Sequence, residues 1–344
     1  MPVNQTLSSF SDTAFITALF IYLAALVLSM VYYVKMLNVV DARRIRAAAA
    51  DRELVNVGAG ESSDSPAADA DLADGDLVEE YISDEEMSRR EAAANKVGGM
   101  TQALIWLGVL VHVSAAVLRG LATSRFPFGN LYEYVLMITA FTMVVAAIVI
   151  QRKEWRIVWP WLLIPVLSLM FFGGTKLYSE AAPVVPALQS FWFPIHVTTV
   201  SVGASIGMVS GIASLLYLLR IWQPKGKERG FFGALAKPLP NAKKLDALAY
   251  KAAIFTLPIF GLGVVLGAIW AEAAWGRFWG WDPKETVSFI TWILYAAYLH
   301  ARATAGWRDH KAAWINIVAL ATMIFNLFFI NMVVSGLHSY AGLN

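Results

Sequence analysis

Between residues 270 and 286 the chain reads Trp-Ala-Glu-Ala-Ala-Trp-Gly-Arg-Phe-Trp-Gly-Trp-Asp-Pro-Lys-Glu-Thr. Four of its thirteen tryptophans, Trp270, Trp275, Trp279 and Trp281, fall within twelve positions there. With Gly276 and Gly280 between them, these indoles suit a flat apolar platform for a large planar ligand, because glycine lets backbone and ligand approach closely. The same rings would also suit an aromatic belt at a membrane surface. A belt, however, collects rings near helix ends and does not call for four of them in one glycine-containing loop.

The five histidines supply candidate metal ligands. His196, in Phe-Trp-Phe-Pro-Ile-His, opens one apolar run, and His338, in Ser-Gly-Leu-His-Ser-Tyr, follows another. His112 and His300 lie inside apolar runs, where an ionisable side chain costs on the order of a few kcal/mol unless it is paired or coordinated. Two neutral imidazoles can hold a haem iron from opposite faces. The plainer alternatives are an unliganded interfacial histidine for the first pair and a hydroxyl- or carbonyl-bonded buried histidine for the second. His310, in Gly-Trp-Arg-Asp-His-Lys, sits in a charged turn and reads as solvated. The chain has no cysteine, which excludes a disulfide, a thiolate metal site and thiol redox chemistry of its own.

The elements that must position these residues are membrane helices. A hydrophobic share of 58% with 15% charged residues and a mean hydropathy of +0.57 do not fit a soluble domain. Apolar runs at residues 14–34, 101–121, 131–150, 157–172, 197–219, 252–269, 287–303 and 313–334 predict an all-α polytopic bundle of about eight transmembrane helices. The 157–172 run, with Pro160 and Pro165, is the shortest. No lysine or arginine precedes the first run and no small-x-small site follows it, so it reads as a retained crossing rather than a cleaved signal.

Charge sets the orientation. All lysines and arginines but Arg119, Arg125, Lys176, Arg277 and Lys284 fall in the segments this topology puts on one side, which marks that side as cytoplasmic and leaves both termini and the tryptophan loop extracytoplasmic. Three regions follow: a first crossing over 1–36, an acidic insert over 37–99 and a membrane domain over 100–344. Residues 51–91 carry fourteen of the 25 acidic residues and read as disordered or loosely helical.

The run Trp-Gly-Trp-Asp-Pro-Lys-Glu-Thr, residues 279–286, is similar to the tryptophan-rich WWD-type signature of haem-handling membrane proteins. It most resembles the cytochrome c biogenesis proteins of the CcsA/ResC family (system II), from about residue 101 to the end. The resemblance implies two pairs of iron ligands, His112 and His300 within the membrane and His196 and His338 beside the outer loop. It implies haem contacts from Trp275, Trp279, Trp281, Asp282 and Gly280. The cofactor would be haem b, transported and presented rather than permanently attached, within a lyase-type holocytochrome c synthase complex. The implied partners are a ResB/CcsB-like membrane protein, apocytochrome c with its Cys-x-x-Cys-His motif, and a thioredoxin-like reductant acting on that apocytochrome; nucleic acid is not among them. The location would be a bacterial cell membrane or a thylakoid-type membrane.

Residues 126–133, Phe-Pro-Phe-Gly-Asn-Leu-Tyr-Glu, also resemble a family segment. Glu133 would pair there with Arg119, Arg125 or Arg277, or Arg125 and Arg277 would meet haem propionates. Two other readings of the whole chain stay open: a CcmC-like subunit that hands haem to a carrier, and a bis-histidine membrane cytochrome that carries electrons.

Overall fold

An apolar run in hydrocarbon must satisfy its own backbone, and a helix does so residue by residue. The computed structural model describes residues 3–59 and 82–338, and among them there are helices and no strands. The α-helices are α1 (Gln5–Ala59), α2 (Asp84–Thr123), α3 (Leu131–Val149), α4 (Trp159–Lys176), α5 (Trp192–Trp222), the short α6 (Gly230–Ala236), α7 (Ala242–Trp275), α8 (Pro283–Ala303) and α9 (His310–Phe325).

Local chemistry sets their ends. Asn130, Asn241 and Asp282 cap α3, α7 and α8 by accepting backbone N–H groups of the first turn. Gly276, at φ 70°, stops α7 in the left-handed conformation that glycine adopts without a Cβ clash. In α4, Pro160 lies in the first turn, where its missing N–H costs nothing, and Pro165 lies inside the helix. The short fourth run is thus a helix despite two prolines.

All eight expected crossings coincide with helices. Seven helices are long and apolar enough to cross a membrane, and the doubtful fourth run is among them. The exception is α8, whose 21 residues give about 31 Å of length but carry a polar stripe. Large apolar side chains such as Phe20, Leu110, Phe171, Phe255 and Val265 lie exposed on the bundle, as lipid contact requires. The chain is a multi-pass helical membrane protein.

The helices pack as two groups joined through α3 and α4. α1 and α2 form an antiparallel hairpin, α5 lies along α7, and α9 packs on α5 and α8. The region read as an acidic insert is only partly described. Its flanks differ from a disordered chain: residues 37–59 and 84–99 extend α1 and α2. Val39, Ala42, Met87 and Ala94 are buried between them, and Arg43 pairs with Glu91 at 2.8 Å. Helix α1, at 55 residues, is about 80 Å long and so runs well past a hydrocarbon layer of about 30 Å. The centre of the acidic stretch, residues 60–81, lies outside the described residues.

At the opposite end of the hairpin a buried ion-pair network fixes the loop that enters α3. Arg119, fully buried, donates from Nε to Glu133 at 3.0 Å and from Nη2 to the Ser179 carbonyl at 2.6 Å, and it also reaches Asp12 at 3.4 Å. Arg125 Nη1 donates to Glu133 at 2.7 Å, and the Gly129 N–H donates to the same carboxylate at 2.6 Å. Glu133 therefore pairs with Arg119 and Arg125, whereas Arg277 pairs with Glu285 at 3.3 Å. Removing one member leaves a buried charge exposed to no water. Replacing Arg119 with Met is expected to destabilise the protein by about 3–5 kcal/mol, read as a lower thermal midpoint in detergent; an unchanged midpoint would show the network to be dispensable.

Candidate functional site: a two-histidine cavity beneath the tryptophan loop

The tryptophan loop leaves α7 at Gly276 and enters α8 at Asp282, and two carboxylates shape it. Glu285 Oε2 accepts from the backbone N–H of Gly280 at 2.9 Å and of Asp282 at 3.1 Å, and Glu285 also holds Arg277. Asp282 and Glu285 together form a capping box at the start of α8. Arg277 lies over the Trp275 ring at 5.8 Å, and its guanidinium fills the notch at Gly280 where a Cβ would stand. Trp281 sits at φ 58°, a conformation that costs a non-glycine residue, and is 68% exposed.

Asp282 does more than cap. Its Oδ1 accepts from His338 Nδ1 at 2.8 Å, and its Oδ2 accepts from the Leu337 N–H at 2.8 Å. The last described turn of the chain is thereby tied to the start of α8. Burial works against the Asp282 carboxylate, but the donors from His338 and the backbone hold it below its usual range. Burial also holds the His338 imidazole below the usual histidine value, even with Asp282 accepting its proton.

His196, in the second turn of α5, is fixed in the same way by a different acceptor. Its Nδ1 donates to the Gly263 carbonyl of α7 at 2.7 Å, and its ring lies where a side chain at Gly267 would be, 2.6 Å from the position of a Cβ. A carbonyl and a carboxylate can only accept. In both histidines the proton therefore sits on Nδ1, and the lone pair on Nε2 is left for a ligand.

The two rings share one neighbour and one space. The indole of Trp270 stacks on His196 at 5.8 Å and meets His338 edge-on at 5.6 Å. Both histidines line a partly open cavity of about 110 Å³, walled by apolar side chains including Val200, Phe260, Val264, Phe278 and Trp279. Asn326 and Leu327 also line it, from a π turn (Asn326–Ile330) that continues α9, a local unwinding often found at functional sites. Among the described residues no group of three or more His, Asp or Glu is placed to hold a bare metal ion. Two imidazoles suit instead an iron whose other four bonds come from a macrocycle.

The remaining candidates separate. Trp279 lines the cavity; Trp275 packs edge-on against Trp270 at 4.7 Å and His338 at 5.0 Å; Trp281 stands at 89° to Trp279. The indoles do not share one plane: one lines the cavity, two brace the histidines and one points outward. His112 is fully buried, with Phe15 and Tyr22 edge-on to its ring and the Thr139 hydroxyl 3.4 Å from Nε2. His300 is exposed on α8. α2 packs on α1 and α3, whereas α8 packs on α7 and α9, so the structure does not bring His112 and His300 together. His310 is exposed at the start of α9.

Residue-type reasoning passed over Lys284, Asn331 and the two α7 glycines as site residues, and it took Trp270 for a loop indole rather than a helix residue between the two histidines. Lys284 and Asn331 line the cavity, with Lys284 Nζ donating to the Asn331 amide oxygen. The spacing of Gly263 and Gly267, one helical turn apart, was the only sign of a slot on α7. A Gly267→Val change is expected to push the His196 ring out of that slot and break its bond to Gly263, lowering stability by about 1–3 kcal/mol. A variant with wild-type stability and an unshifted histidine NMR signal would contradict this packing.

Comparison with known proteins agrees with this geometry. The family model described as cytochrome C assembly protein matches residues 128–338, a span that starts at the entry to α3 and ends on His338, and so leaves α1, α2 and His112 outside. The chain is 32% identical over 254 residues to the cytochrome c biogenesis protein CcsA of Chlamydomonas reinhardtii, covering 70% of this chain and 68% of that protein. It is 33% identical over 242 residues to CcsA of Guillardia theta, covering 66% and 80%, and 31% identical over 270 residues to CcsA of Parasynechococcus marenigrum (strain WH8102), covering 70% and 86%. The chain belongs to the cytochrome c assembly protein family and, within it, to the CcsA proteins.

Proposed function

We propose that this chain acts in cytochrome c biogenesis by holding haem b in the cavity between His196 and His338 and presenting it for covalent attachment to apocytochrome c. The observation that carries this reading is the matched pair of imidazoles. They come from segments remote in sequence, line one cavity, and are each anchored at Nδ1 so that Nε2 is free.

Haem is the substrate here, and its two vinyl groups supply the reactive carbons. Each thiol of a Cys-x-x-Cys-His segment adds across one vinyl, sulfur bonding to one carbon and the thiol hydrogen ending on the other, with no net oxidation. The chain lacks cysteine, so the thiols belong to the apocytochrome. The chain's residues contribute position. His196 and His338 fix the iron, Trp279, Phe278 and Phe260 wall the ring on its apolar sides, and Asp282 and Gly263 hold the imidazoles in one tautomer. Apolar walls also exclude water, which with axial ligation is the protein's means of setting the iron's potential.

In this reading haem reaches the cavity from the cytoplasmic side with the help of a ResB/CcsB-like membrane partner. A thioredoxin-like reductant keeps the apocytochrome thiols reduced. His112, enclosed by Phe15, Tyr22 and Thr139, does not meet His300. The exposed His300 is open to a ligand from a partner.

The test is the absorption spectrum and haem content of the chain purified with its membrane partner, alongside cytochrome c maturation in cells. His196→Ala and His338→Ala are each expected to abolish the bis-histidine spectrum and maturation. Maturation at wild-type levels in both variants would end the proposal. Asp282→Asn keeps the shape of the side chain but not its charge, and haem retention is expected to fall by about 10–100-fold. Unchanged retention would show that His338 needs no anchor.

A further inference from the structure

Helix α8 is the spanning-length helix that is not apolar enough to qualify as a crossing, and the reason lies on one face. Lys284, Ser288, Thr291, Tyr295, Tyr298 and Arg302 follow one another at alternating spacings of four and three, which stacks them in a single stripe along the helix. From Lys284 to Arg302 the stripe spans about 27 Å, close to a hydrocarbon thickness of about 30 Å. Its centre is buried: Thr291 and Tyr295 are 0% exposed and Tyr298 is 1% exposed.

The stripe faces polar groups on α5 and α9. At one end Ser288 and Asn326 line the histidine cavity, and Asn326 Nδ2 donates to Ser288 Oγ at 2.8 Å. One turn further, the hydroxyls of Thr291 and Thr322 lie 2.9 Å apart. Asn316 on α9 donates to Ser210 Oγ and Ser214 Oγ on α5, each at 2.8 Å. Tyr298 lies beside Ser214. At the far end Arg302 pairs with Asp246 of α7 at 2.5 Å and lies over the Tyr250 ring.

This seam contains more hydrogen-bonding capacity than the protein itself uses. The hydroxyl of Tyr295 and the amide oxygens of Asn316 and Asn326 are buried with no hydrogen-bond partner, and the buried hydroxyl of Tyr298 has only Ser214 beside it. Three such groups on α8 and the α9 side of the seam would each carry a desolvation cost on the order of 1–3 kcal/mol. Small buried waters with several polar neighbours are what ordinarily relieve that cost. Neither the histidine ligation nor the tryptophan loop accounts for the stripe.

We propose that the seam between α5, α8 and α9 holds a file of bound water that carries protons between the Arg302–Asp246 pair at the basic face and the histidine cavity. Water and hydroxyls can pass a proton along such a file with no lasting ionisation, while the amides hold the water in place by hydrogen bonds. One proton enters at one end as another leaves at the other, and nothing is oxidised or reduced. The charged groups sit at the ends, Asp246 and Arg302, with Tyr250, at one and Lys284, Glu285, His196 and His338 at the other, and the titratable groups between them are the phenols of Tyr295 and Tyr298. A change of charge beside apolar walls costs less when a counter-charge moves with it, and the seam offers a path for one. The inference stands independently of which ligand fills the cavity.

The experiment uses the full chain with its membrane partner, reconstituted into phospholipid vesicles that contain a pH-sensitive dye and are polarised by a potassium gradient with valinomycin. Proton flux is expected above that of protein-free vesicles. It should fall about tenfold, a barrier increase of about 1.4 kcal/mol, in Tyr298→Phe, which removes only a hydroxyl, and in Asn316→Leu. Retained histidine-cavity ligand spectra show that each variant is folded. Wild-type flux no greater than that of protein-free vesicles, or Tyr298→Phe flux equal to wild type, overturns the proposal. Hydroxyl-radical labelling reads the water directly. Tyr295 and Tyr298 should be labelled at rates near that of exposed Tyr178, and rates as low as that of the buried Trp159 overturn the water file.

Discussion

One carboxylate holds the site together. Asp282 ends the tryptophan loop, caps α8, accepts the proton of His338 and ties down the backbone at Leu337. Three parts of the chain that would otherwise move separately thus share one anchor. The arrangement is favourable because the anion lies at a helix N-terminus, where the unpaired N–H groups and the helix dipole stabilise negative charge, and because its oxygens are bonded. Glu285, three residues on, repeats the device for the loop's own backbone.

Across the cavity the second histidine is held by helix packing instead. His196 fits against Gly267 and bonds to the Gly263 carbonyl, so its position depends on the close pairing of α5 and α7. One imidazole is set by a loop and the other by a helix interface, and Trp270 touches both. A rigid wall facing a loop-borne imidazole would suit the proposed binding and release of haem. The rigid element keeps the geometry, and the loop supplies the opening.

The bundle around the site is unequal in polarity. α1 to α5, α7 and α9 carry apolar faces that lipid can cover. α8 does not, and its stripe is buried against hydroxyl- and amide-bearing positions of α5 and α9. Polar groups in a membrane interior are costly when unpaired, so the matching of three polar faces along one seam reflects a constraint on where α8 can sit. The same constraint places its N-terminus, and with it Asp282, at the cavity.

Much of this was legible in the residues alone. Hydropathy marked the membrane helices because burial in lipid demands long apolar runs, and the charge asymmetry marked their sides. The order of residue types in 279–286 marked the family, because few other roles require it, and the placement of His196 and His338 at the same end of the bundle pointed to one cavity that both line. Tertiary structure decided which residues meet. It put Trp270, a helix residue, between the histidines, turned Trp281 outward and gave Asp282 to His338. It left His112 and His300 on helices that do not pack together. Contacts of this kind depend on helix rotation and pairing, which a periodic apolar pattern leaves free when both lipid and protein faces are hydrophobic.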